Sequence, residues 1–265
     1  MAQKPFLILG SNPWGPMKKN LILLLLPFLI LSGCGRKDSI SFKEKGIVRK
    51  ILKHWETWVP ARQQAGTAPL MTFEHLYQGL DAESRSFLDK LKNLKTGGRL
   101  DVSGVSFQKI TGQNYFKNGE PAVVDPQYLP RWTYESYRSM MDQMRRDLGK
   151  ILWVESGFRS PAYQLYTFVF YLPKHHDSIN ETRRWVALPG HSEHGNPDLQ
   201  AIDFINEQGI NGDNEGQTAE TFEKLPEFDW LTKRGKEFGF ELSYPRGGKD
   251  TTYEPWHWRF ARLKA

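Results

Sequence analysis

A single cysteine, Cys34, among 265 residues leaves the chain no internal disulfide, so stability has to come from a packed core and from any metal the fold holds. Internal repeats and low-complexity tracts are also absent, which excludes repeat arrays. Lysines and arginines are scattered among acidic residues, and no basic run is interleaved with aromatics. The formal net charge of +6 is moderate; an anionic cell envelope accounts for it, and nothing in the pattern favours a nucleic-acid partner. The apolar run at residues 21–31 is interrupted by Pro27 and is too short for an ordinary membrane span.

What is present begins with that run. Met17, Lys18 and Lys19 precede it, which gives the layout of a secretory signal and makes Met17 the expected start, with residues 1–16 outside the protein proper. It ends in Leu31, Ser32, Gly33 and Cys34, a stretch that resembles the bacterial lipobox, where cleavage before the cysteine is coupled to its lipidation. Residues 1–34 are therefore expected to be a signal peptide, and Cys34 a membrane anchor. Gly35 is not the aspartate that retains lipoproteins in the inner membrane of many Gram-negative bacteria. The expected location is the periplasmic face of the outer membrane there, and otherwise the outer face of the cytoplasmic membrane.

About 230 residues remain, ample for a sizeable core, with eight tryptophans and fourteen phenylalanines to fill it. Residues 35–100 read as a tether and helical appendage. Ile47, Ile51, Leu52, Trp55 and Trp58 recur at helical spacing until Pro60, and a second helix over residues 72–94 is interrupted near Gly79. From residue 101 a main domain is expected. Residues 100–110 alternate as a strand, Pro121, Pro126 and Pro130 mark a long loop, and residues 133–148 form a helix closed by Gly149. Residues 151–154 make a short buried strand before Glu155 and Ser156, and residues 161–171 a helix. His175, His176 and Asp177 fall in a polar loop, where adjacent histidines seldom close a metal site. Residues 240–244 and 253–260 form a hairpin.

The chemistry gathers in three short stretches. In the last, Glu254, Pro255, Trp256 and His257, strand periodicity puts Trp256, Trp258 and Phe260 on one face and His257 and Arg259 on the other. Pro255 marks the strand start and leaves Glu254 in a turn that can bend toward His257. Upstream stand Ser192, Glu193 and His194, then Ala201, Ile202, Asp203 and Phe204, with Asp203 facing away from its apolar neighbours. The third, Ser156, Gly157, Phe158, Arg159 and Ser160, follows the buried strand and offers a guanidinium fork for a carboxylate or an oxyanion. A catalytic zinc needs about three ligands and an open position; His194, Asp203 and His257 supply that set, with Glu254 left over as a base.

These three stretches, SGFRS, SEHGNPDLQAID and EPWH, in this order, resemble the VanY-type D-alanyl-D-alanine carboxypeptidases of the M15 zinc peptidases, whose pattern is SGYRS, SxHxxGxAxD and ExWH. The resemblance spans roughly residues 105–262. It implies an α+β fold, a small antiparallel sheet carrying a zinc site and flanked by helices, with the N-terminal helices as an appendage. It also implies Zn2+ held by His194, Asp203 and His257, Glu254 as catalytic acid and base, Arg159 stabilising charge at the scissile carbonyl, and Ser192 near the substrate. Peptidoglycan stem peptides would be the substrates. An endopeptidase cutting cross-links and a catalytically silent, zinc-bearing cell-wall lipoprotein are the alternatives. The middle stretch departs from the pattern: two extra residues separate His194 from Asp203, and Leu199 stands where the family has glycine, which leaves Asp198 as a second choice of ligand.

Overall fold

The structure is a computed structural model that describes residues 39–94, 102, 104–248 and 252–261. The expected signal peptide and Cys34 lie outside the described residues. No helix among the described residues is long and apolar enough to cross a membrane.

The N-terminal segment is helical, as its periodicity predicts. Helix α1 (Phe42–Trp55) opens with a capping box: the Ser41 hydroxyl accepts from the Glu44 amide, and the Glu44 carboxylate accepts from the Ser41 amide. It buries Ile47, Val48, Ile51 and Trp55. Pro60 does not end this helix but sits in the first turn of the next, α2 (Val59–Gln64), where its missing N–H costs nothing. After α3 (Phe73–Tyr77), Gly79 at φ 73° breaks the chain, and α4 (Ala82–Lys92) restarts on the Asp81 cap.

Strand β1 (Phe107–Ile110) is followed by β2 (Asn114–Lys117), β3 (Glu120–Val123) and β4 (Gln127–Pro130), so the expected long loop holds three short strands. β2 and β3 form a hairpin whose two-residue connection, Asn118 and Gly119, has positive φ at both positions. Pro121 is tolerated in β3 because the strand is paired on one edge only. Helix α5 (Arg131–Leu148) ends on Gly149 in the left-handed region and leads through Lys150 and Ile151 into β5 (Leu152–Ser156). Next come α6 (Pro161–Tyr171), the short α7 (Ile179–Arg183) inside the expected polar loop, and β6 (Ala201–Asn206). Helices α8 (Ala219–Glu223) and α9 (Pro226–Arg234) precede β7 (Phe240–Leu242) and β8 (His257–Phe260).

β5, β6, β8 and β7, in that order, make an antiparallel four-stranded sheet, so the architecture is α+β. One face of the sheet carries Val154, Ile202, Phe204, Trp258 and Phe260 into a core completed by Met140, Met141 and Met144 of α5 and by α9. A second core joins α1, α3 and α4 to Leu165, Phe168, Val169 and Leu172, so it crosses the expected boundary near residue 100. The same crossing is polar at one point. The Ser160 amide donates to the Pro69 carbonyl at 2.8 Å, and its hydroxyl donates to the Met71 carbonyl at 2.6 Å.

Candidate active site

Asp203 and His257 are partners across β6 and β8, and residues opposite each other in a ladder project from the same face. Their neighbours Ile202, Phe204 and Trp258 enter the core, which leaves the other face of the sheet to the polar pair. His257 Nδ1 lies 2.8 Å from Asp203 Oδ1. His194 reaches them from outside the sheet, on a 3-10 turn over Glu193–Gly195, where the Ser192 hydroxyl accepts from its amide at 3.3 Å. Its Nδ1 is 2.8 Å from the Gly157 carbonyl. A carbonyl only accepts, so Nδ1 carries the proton and Nε2, 3.1 Å from Asp203 Oδ2, presents its lone pair. One ligand atom from each of His194, Asp203 and His257 lies within 4.8 Å of the others.

Glu254 stands beside this group. The His257 amide donates to the Glu254 carbonyl at 3.1 Å, closing a turn through Pro255 that carries the Glu254 carboxylate to 3.8 Å from His257 Nδ1. Arg159 is fixed at two points: Nε donates to the Ser156 hydroxyl and Nη2 to Asp203 Oδ2, both at 2.8 Å. A bulge between Val154 and Ser156 lets β5 present Ser156 opposite Asp203.

The electrostatics follow from crowding in a partly dry site. Burial and the Arg159 charge lower the His194 pKa to about 4, so its imidazole is neutral. Burial opposes ionisation of Asp203, but the His257 charge beside it holds its carboxyl well below the ordinary range. Burial would likewise lower His257, yet Asp203, Glu193 and Glu254 raise it to about 9. Burial pushes Glu254 up to about 7 against the pull of His257.

Residues 126–263 match the family model of the VanY D-alanyl-D-alanine carboxypeptidases. The chain belongs to this family. Family membership supports a peptidase activity. No curated protein sequence matches the chain. Among solved structures it is similar to VanYB in complex with D-alanine-D-alanine, at 22% identity and TM-score 0.44 over 63% of this chain and 81% of that one. It is also similar to the Glu-to-Ala variant of the vancomycin-resistance D,D-pentapeptidase VanY with Zn(II), at 21% identity and TM-score 0.43 over 62% and 83%. A third is the LdcB LD-carboxypeptidase, at 21% identity and TM-score 0.38 over 58% and 84%.

Against the family pattern, the extra residues between His194 and Asp203 are taken up by a second 3-10 turn, Pro197–Leu199, before β6 begins. Asp198 is exposed on that turn and is not one of the grouped residues, whereas Asp203 is. His175, His176 and Asp177 are not among the grouped residues; the Asp177 carbonyl accepts from the Ile40 amide and so ties down the start of α1. Sequence reasoning passed over Glu193, whose carboxylate meets both His257 Nε2 at 3.1 Å and Arg259 Nη1 at 3.0 Å. It also passed over Tyr244, whose ring lies 4.8 Å from that of His257, and over Glu155, which Asn211 holds through both carboxylate oxygens. The alternation of β8 carried a signal for Glu193 only indirectly, by placing Arg259 on the same face as His257.

Proposed function

We propose that the protein is a zinc-dependent peptidoglycan peptidase that removes the terminal D-alanine of stem peptides. The observation that carries this reading is the convergence of His194, Asp203 and His257 with Glu254 alongside. Two imidazoles and one carboxylate are the donor chemistry of a catalytic zinc, and the fixed Nδ1 proton of His194 leaves the correct nitrogen bare. His194 Nε2, an Asp203 oxygen and His257 Nδ1 would hold the ion. Zinc bound there supplies Lewis acidity, drawing the pKa of water toward about 7 and polarising a carbonyl.

The chain's own residues do the rest. A carboxyl that titrates near neutral pH both takes and returns a proton, so Glu254 deprotonates the attacking water and delivers the proton to the leaving amine. Arg159, anchored by Ser156 and Asp203, brings a permanent positive charge to the scissile carbonyl. Ser192 stiffens the turn that carries His194 by accepting from its amide.

The protein lacking residues 1–34, incubated with pentapeptide muropeptides, should release D-alanine only with zinc present, read by mass spectrometry. Cut cross-links instead of free D-alanine would make it an endopeptidase, and no product from the zinc-loaded protein would end the peptidase reading. The proposal includes export and lipidation at Cys34; Cys34→Ala should abolish acyl labelling and release the protein from the membrane fraction.

A further inference from the structure

Glu193 lies between Ser192 and His194 in sequence, yet its carboxylate points not at their partners but at the far side of His257. Its Oε2 is 3.1 Å from His257 Nε2, and its Oε1 is 3.0 Å from Arg259 Nη1. Arg259 is itself anchored, donating from Nε at 2.8 Å and from Nη2 at 2.6 Å to Glu241 on the neighbouring strand. His257 is 5% exposed, so few alternative partners can reach its Nε2.

Resting on the zinc reading above, we propose that Glu193 is the positioning residue of the third ligand: it accepts the Nε2 proton of His257 and so fixes the Nδ1 lone pair toward Asp203 and His194. The logic is that of imidazole. With zinc on Nδ1 the ring would be neutral and keep its one proton at Nε2, and a carboxylate there holds that proton and with it the aim of Nδ1. The same contact makes the ligating nitrogen more electron-rich. Arg259 contributes by holding the carboxylate in place: its Nη1 donates to Oε1 while its other nitrogens are tied to Glu241. His194 has the matching device in the Gly157 carbonyl, so both imidazoles are aimed from behind, one by the backbone and one by a side chain.

The test is zinc affinity, measured by chelator competition on the protein lacking residues 1–34, with folding of each metal-free variant checked by circular dichroism. Glu193→Ala should bind zinc about 10- to 100-fold more weakly than wild type. Glu193→Gln, which keeps an acceptor without the charge and preserves the side-chain volume, should fall between them, and it decides the matter if the alanine variant does not fold. Glu241→Gln removes the same charge on the other side of Arg259 without touching His257, and should cost less than Glu193→Gln. Wild-type affinity in both Glu193 variants, or an equal loss in Glu241→Gln and Glu193→Gln, overturns the assignment. A wild-type protein that fails to bind zinc overturns the zinc reading itself, an outcome visible before any variant is compared.

Discussion

At the residue scale the site is decided by which atoms the backbone leaves free to meet. Asp203 is bracketed by His194, His257 and Arg159, and Asp198 is exposed on the turn before the strand. Asp203→Asn should therefore abolish stoichiometric zinc binding, whereas Asp198→Asn should leave it unchanged, as metal analysis after dialysis would show; the reverse order would move the ligand to the turn. Glu155 gives a separate check. Burial raises its carboxyl from 4.5 to about 8. The folded state then holds a proton that the unfolded state has released between those values, so this group's contribution to stability falls as pH rises through that window. Glu155→Gln removes the titration, and its melting temperature should gain on wild type from about pH 5 to pH 8. A difference that stays flat with pH would show that Glu155 titrates normally.

At the element scale, what was legible was what is local. The alternation of residues 256–260 put Trp258 and Phe260 inside and His257 outside because a strand has period two, and Pro255 placed Glu254 in a turn. Asn118 and Gly119 were an equally local hairpin signal, but the prolines around them read as loop, and the β2–β3 hairpin was passed over. The Glu193–His257 contact joins residues 64 apart and the Ser160–Met71 contact residues 89 apart, and such separations leave no periodicity to read. Gly157 shows how tightly the elements meet. A β-carbon there would lie 2.4 Å from the Tyr128 carbonyl oxygen. Gly157→Ala should force β4 and the SGFRS turn apart, cost about 1–3 kcal/mol in denaturant unfolding, and weaken zinc binding by shifting the carbonyl that aims His194. A variant as stable as wild type would mean that the two segments separate freely.

At the scale of the whole molecule, the N-terminal helices are built into the fold. The core around Trp55 includes Leu165, Phe168 and Val169 of α6, the helix that begins immediately after the SGFRS stretch. Trp55 is fully buried, with its indole N–H donating to the Leu76 carbonyl at 3.0 Å. Trp55→Ala should cost about 3–5 kcal/mol and lower a single unfolding transition seen by both tryptophan fluorescence and far-ultraviolet circular dichroism. Two separate transitions, with only the first affected, would show that residues 39–94 fold independently. The Pro69 and Met71 carbonyls that receive Ser160 make this packing part of the support for Arg159, one residue away.

The central claim, metal-assisted hydrolysis with Glu254 as the proton carrier, is tested most directly by comparing D-alanine release from a pentapeptide by wild type and by Glu254→Ala, each with its zinc content measured. Both proteins should hold one zinc, and the variant should turn over at least about 100-fold more slowly. Equal turnover by a variant that retains its zinc would contradict it.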